Sequence, residues 1–315
     1  DLNGTVLSFK SNTDTLKEFV AFSKTGNFLS PVIDEESMKI ENQNLHATEP
    51  HNLIIVTHPD FLNEANELAE FHRTDDNMSV FVITPDKIYN EFSSGKPDVS
   101  AIRDFVKMIY DKSGDTKDSL RYLLLFADGS YNNHTYSSGN PNFILTYQSS
   151  NSLSFNNSYV TDDFFGLLDE NEGGEEDNSK DDNMSVYPLD IGVGRLPVKT
   201  PEEAQGVVNK IISYNTNKNM SDWRNVLCFV GDDGENNNGT THMDHANNLA
   251  DYIMNNYPEY NVKKLLLDAY KQVTTSTGPR YPDVHRSIID NFNNGMLIFN
   301  YNGHGGENGI TKELV

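Results

Sequence analysis

From His51 onward, apolar and polar positions alternate between two periods. Leu53-Ile-Ile-Val-Thr57 is a continuous apolar run, the pattern of a strand buried on both faces. Phe61 to His72 then places apolar side chains at Phe61, Leu62, Ala65, Leu68, Ala69 and Phe71, a helical stripe. Ser79-Val-Phe-Val-Ile83 reads as a strand, Ala101 to Tyr110 as a helix, and Tyr122-Leu-Leu-Leu-Phe126 as a strand running into Ala127-Asp-Gly129. Strand and helix in alternation predict a parallel sheet with right-handed crossovers.

The rhythm loosens between Ser130 and Asp182, an Asn-, Ser- and acid-rich stretch. Loops of that length are functional or disordered. A strand at Leu189 to Val193 follows, then a helix from Pro201 to Tyr214 with Thr200 as N-cap and Pro201 at its first position. A second series opens at Trp223-Arg-Asn-Val-Leu-Cys-Phe-Val230. Its helices run from Met243 to Met254 and Pro282 to Phe292, and its strands from Val262 to Leu267 and Gly295 to Asn302.

The expected fold class is therefore α/β, with two adjacent subdomains of mainly parallel sheet flanked by helices. Residues 1–47 read as the tail of an upstream β domain plus a linker. The first subdomain spans 48–218 with its long acidic loop, and the second spans 219–315, truncated after its final motif. The opening Asp1-Leu-Asn-Gly-Thr5 is not a signal peptide, and the expectation is an excised piece of a longer chain.

That final motif is Gly303-His304-Gly305, directly after a strand. A histidine there has its imidazole free at the sheet rim, where open α/β sheets collect catalytic groups. Flanking glycines let the backbone approach a substrate and turn an N–H toward a developing oxyanion. The alternative is a turn whose histidine is merely solvated.

Composition narrows the classes. With 315 residues, 36% hydrophobic and 23% charged, the chain can bury one large or two ordinary cores. A net charge of −23 lacks the basic footprint of nucleic-acid binding and suits a solvated surface, cationic substrates or divalent cations. No run reaches the ~18 apolar residues of a membrane span. The single cysteine, Cys228, excludes an internal disulfide framework.

Several blocks resemble the gingipain-type (C25-type) cysteine peptidases. They are Thr57-His-Pro-Asp-Phe61, Tyr89-Asn-Glu-Phe-Ser-Ser-Gly95, Ala101-Ile-Arg-Asp-Phe105, Leu123-Leu-Leu-Phe-Ala-Asp-Gly-Ser-Tyr131, Tyr159-Val-Thr-Asp-Asp-Phe-Phe-Gly166, Asp190-Ile-Gly-Val-Gly-Arg-Leu-Pro197 and Asn300-Tyr-Asn-Gly-His-Gly305. They run in family order over residues 50 to 315. They most resemble the branch that serves type IX secretion in Bacteroidetes as a surface protease and sortase.

The resemblance implies a caspase-like fold of two subdomains and a His/Cys dyad. His304 would be the general base and Gly305 an oxyanion donor, with the nucleophilic cysteine at the end of the next strand, past Val315. Cys228 falls inside a strand, where a cysteine is an inert small hydrophobe. The resemblance also places Asp162 in a pocket for a basic side chain, against the alternative of a solvated acidic turn. It implies calcium as well. Asp169 and Glu172, with the acids up to Asp182, have the hard oxygens for it but lack EF-hand spacing, and a solvated loop is the alternative. Asp232-Asp233 with His242 and His245 could suggest a two-metal hydrolase, but they fall in a loop and at a helix start. Gln148 and Asp128 are candidates to orient His304, and the sequence does not choose between them. No organic cofactor is expected. The implied partners are exported proteins carrying C-terminal signals and other secretion proteins, at the cell surface or outer membrane. A catalytically silent scaffold of the same family is the other function class.

Overall fold

In the computed structural model, the described residues are 9–12, 17, 19, 40–114, 116–133, 142–149, 158–170, 172, 188–217, 221–233, 240–276, 278–305 and 309–311, with backbone only at 2–3 and 6–7. Most of 1–47 and of the acidic loop, including 173–187, lies outside them. The chain separates into two compact units, Asp1–Lys199 and Thr200–Val315.

The first unit is built on four parallel strands: β1 (Leu53–Thr57), β2 (Val80–Ile83), β3 (Tyr122–Phe126) and β4 (Gly192–Arg195). Their order is β2-β1-β3-β4. The continuous apolar run of β1 makes it a central strand, and all five of its residues are buried. Helices α1 (Leu62–Thr74), α2 (Pro85–Phe92) and α3 (Val99–Ser113) complete the layers. Ile102, Phe105, Val106 and Ile109 of α3 are all buried, as their spacing requires. Asp98 caps α3 by accepting from the Ser100 N–H at 2.8 Å.

Within that unit, Glu91 on α2 holds the segment leading into β1. Its carboxylate accepts from the Leu45 N–H at 2.8 and 2.9 Å and from Gln43 Nε2 at 2.8 Å, and meets His46 Nδ1 at 2.9 Å. Burial works to raise its pKa, but the bonds from Leu45, Gln43 and His46 outweigh this and lower it to about 2. Because the folded value lies below the ordinary 4.5, the stabilisation is complete above that pH and disappears as pH falls toward about 2. Glu91→Gln should therefore raise amide exchange at residues 43–48 at pH 7 to the level the unaltered protein reaches only in strong acid. Unchanged exchange there would refute this tether.

The second unit opens with α4 (Pro201–Thr216), capped where expected: Thr200 accepts from the Glu203 N–H. Its sheet comprises β5 (Val226–Gly231), β6 (Asn261–Leu266) and β7 (Ile298–Asn302), all parallel in the order β6-β5-β7. Helices α5 (Thr241–Asn256) and α6 (Pro282–Asn294) provide the crossovers. Gly295 ends α6 at φ +84°, and a Cβ there would lie 2.9 Å from that of Trp223. Cys228, Val230, Leu265, Val284 and Ile288 form the core on one side of this sheet.

Candidate functional site

The chain runs from β5 to β6 on one flank of β5 and returns with β7 on the other. The carboxyl ends of β5 and β7 are thus a topological switch point, the place where open α/β sheets leave a crevice. His304 lies two residues beyond β7, exposed, between Gly303 and Gly305. Asp232 lies one residue beyond β5 and is 3% exposed. Its N–H extends the ladder by donating to the Asn302 carbonyl at 2.9 Å.

Packing at this rim is close. A Cβ on Gly303 would lie 2.2 Å from the Tyr301 hydroxyl and 2.5 Å from Asp232 Cβ. Glycine before the histidine is therefore required by space as well as by flexibility. A Cβ on Gly231 would lie 2.7 Å from Met243 Cα, so the first turn of α5 lies directly on the end of β5. That contact brings His242 to the rim, where its ring meets the His304 ring edge-on at 5.0 Å between centroids and 87° between planes.

The Tyr301 hydroxyl lies 3.0 Å from Asp232 Oδ2, 2.7 Å from the His304 carbonyl and 2.8 Å from the Ile310 carbonyl. Beside it, Gln272 donates to the Tyr281 hydroxyl at 3.1 Å, and that hydroxyl donates to Asp233 Oδ2 at 2.8 Å. Burial, and then the Asp233 carboxylate, raise the Tyr281 pKa well above the usual phenol value.

Cys228 sits in mid-strand, fully buried and in register with Phe299 of β7. Burial raises its thiol pKa to about 11, and nearby Lys263 only partly offsets this. A thiol so placed is neither ionised nor reachable at neutral pH, the opposite of a nucleophile.

In the first unit, Asp162 meets an internal cation. Arg195, at the end of β4, donates from Nε to Asp162 Oδ2 at 2.8 Å and from Nη2 to Oδ1 at 2.7 Å. The same guanidinium donates to the carbonyls of Ala127, Ile144 and Leu145 at 3.0 to 3.2 Å. The carboxylate expected to face a substrate cation has both oxygens engaged in this fork. Asp128 pairs with Lys199 at 3.3 Å, and Gln148 lies in a two-residue ladder with Val160. Among the described residues of the second unit, the ring contacting His304 is that of His242.

The described part of the expected calcium position, Asp169 and Glu172, lies in a turn that Arg103 and Lys107 bond. Glu172 Oε2 accepts from the Asp169 N–H at 3.2 Å, closing a turn. Arg103 donates to the carbonyls of Leu167 and Glu172, and Lys107 donates to that of Leu168. These bonds use the carbonyls of Leu167, Leu168 and Glu172 and one carboxylate oxygen of Glu172. No group of three or more His, Cys, Asp or Glu among the described residues is placed to hold a metal. Glu175, Glu176, Asp177, Asp181 and Asp182 lie outside those residues.

Comparison with known families decides the relationship. The model of peptidase family C25 matches residues 46–315. The chain belongs to peptidase family C25. Among solved structures, this C25 chain is 37% identical to dimeric latent PorU from Porphyromonas gingivalis, over 56% of its own length and 16% of that chain, with a TM-score of 0.44. A structure described as a protease is 14% identical over 60% of this chain and 34% of its own, with a TM-score of 0.41. The C25 chain thus spans 16% and 34% of the length of these two proteins. Comparison with curated proteins gives no match.

The sequence of this C25 chain draws attention to His304 but not to its surroundings. It gave His242 and Asp232 only to a metal site and did not single out Tyr301. The available signal was an acid placed directly after the apolar run of β5, at a strand's carboxyl end.

Proposed function

We propose that this chain is the base-carrying part of a gingipain-like cysteine endopeptidase. Its partners would be exported proteins whose C-terminal secretion signals it removes at the cell surface. The observation that carries the reading is His304, exposed at the switch point of β5 and β7 in a chain of peptidase family C25.

In this chemistry His304 takes the proton of a cysteine thiol, and the thiolate attacks the scissile carbonyl. The imidazolium then protonates the leaving amine, and the thioester passes its acyl group to water or to an acceptor amine. The Gly305 N–H is the proposed donor to the oxyanion. Buried Cys228 is unsuited to the nucleophile's part, so the thiol comes from residues other than these 315. The type IX secretion setting and the sortase step rest on the resemblance of the quoted motifs.

The single buried cysteine favours one alternative, a silent C25 member acting as a binding module. The two readings separate in a peptide-cleavage assay. The 315-residue chain alone should be inactive, and a longer form bearing a further cysteine should cleave. Cys228→Ser should leave that activity intact. Cleavage by the chain alone, or loss of activity on Cys228→Ser, would overturn the assignment, and a cysteine-bearing form that never cleaves would favour the module.

A further inference from the structure

We propose that Asp232 is held as a neutral carboxylic acid and, through Tyr301, positions the turn that carries His304. Three oxygens lie within 3.0 Å of the Tyr301 hydroxyl: Asp232 Oδ2, the His304 carbonyl and the Ile310 carbonyl. A phenolic hydroxyl has one proton to give and can accept through its lone pairs. Both carbonyls can only accept. Were Asp232 ionised, three acceptors would compete for one proton, leaving close oxygen pairs with no hydrogen between them. A proton on Asp232 places a hydrogen in its contact with Tyr301 and leaves the tyrosine proton to the two carbonyls. The carboxyl then donates to the Tyr301 oxygen, and the Tyr301 proton is shared between the two carbonyls.

The surroundings favour the same state. Asp232 is 3% exposed, and burial disfavours the charged form of a carboxyl. Among the described residues, the titratable groups of the rim include Asp233 after β5, His242 on α5, His304 after β7 and Tyr281 before α6.

The device matters because of what it ties together. One hydroxyl grips the backbone of His304 and the returning segment at Ile310, and a side chain at Gly303 would collide with both Tyr301 and Asp232. The effect on catalysis rests on His304 being the base proposed above. Tyr301 and Asp232 are then positioning residues, acting through the histidine's backbone.

The test uses the chain itself, with 13C at the aspartate carboxyls and at the His and Ile carbonyls. At neutral pH the Asp232 carboxyl resonance should be that of an acid. As pH rises and it ionises, the His304 and Ile310 carbonyl resonances should move with it. Asp232→Asn, whose amide can donate as the acid does, should hold both carbonyls in place and abolish their pH response. Tyr301→Phe should displace both at every pH. A carboxylate resonance for Asp232 at neutral pH would overturn the proposal, as would carbonyl shifts in Asp232→Asn as large as those in Tyr301→Phe. If Asp232→Asn does not fold, the carboxyl resonance of the unaltered chain decides alone. None of these readouts involves peptide cleavage, so they stand or fall separately from the peptidase reading. In a cysteine-bearing form, Tyr301→Phe should lower kcat about 10²-fold, the cost of misplacing a reacting group by about 1 Å, with KM unchanged. Equal loss through KM would contradict the positioning role.

Discussion

Changing His304 to alanine in a form of the protein that carries the nucleophilic cysteine is expected to lower kcat/KM by about 10⁴- to 10⁶-fold. That is the range seen when one member of a catalytic unit is removed from a hydrolase, because members acting together lose most of their effect when any one is lost. The structure limits the alternative explanations of such a loss. His304 is exposed and two residues beyond the end of β7, so truncating it opens no cavity and removes no core contact. Thermal stability should therefore change by less than about 1 kcal/mol while activity collapses. His242→Phe keeps an aromatic ring against His304 and should cost far less. A loss of only tenfold in His304→Ala would show that another group serves as the base.

The second large effect is one of stability and lies in the first unit. Arg195→Met should destabilise it by about 3 to 5 kcal/mol, the cost of leaving one partner of a buried ion pair alone. The Arg195 and Asp162 side chains are only 11% and 25% exposed, and their contact is a two-bond fork rather than a flexible surface pair. The same guanidinium also satisfies the carbonyls of Ala127, Ile144 and Leu145, two of which belong to fully buried residues. Removing it therefore strands several acceptors at once. Adding Asp162→Asn should recover part of the loss by removing the stranded charge, and Arg195→Lys should be intermediate, keeping charge without the fork. Measured by chemical denaturation, a cost below about 1 kcal/mol for Arg195→Met would mean that the pair is a solvated surface contact.

The sequence made some of this legible and concealed the rest for physical reasons. Leu53–Thr57 announced itself because a central parallel strand is apolar on both faces, and β5 did so for the same reason. Strand β4, Gly-Val-Gly-Arg, has almost no apolar signal, so the neighbouring Leu189 to Val193 drew the assignment a few residues early. Helix α2 passed unnoticed at eight residues, though Pro85 at its start and buried Ile88 and Tyr89 mark it. His304 stands out in the sequence because flanking glycines and a preceding strand are local features. The Tyr301–Asp232 contact could not, since its partners lie 69 residues apart and meet only because β5 and β7 are neighbours. Asp162 illustrates the converse. Its motif suggested a ligand-facing acid, whereas the fold supplies Arg195 from 33 residues away.

The central claim is that His304 serves a thiol other than Cys228. It is tested most directly by finding where a thiol-directed substrate analogue attaches. A peptidyl chloromethyl ketone should alkylate one cysteine of the cysteine-bearing form, located by peptide mass mapping. The modified residue should not be Cys228, the reaction should persist in Cys228→Ser, and it should become orders of magnitude slower in His304→Ala. Attachment to Cys228, or labelling whose rate is the same in His304→Ala, would contradict the account.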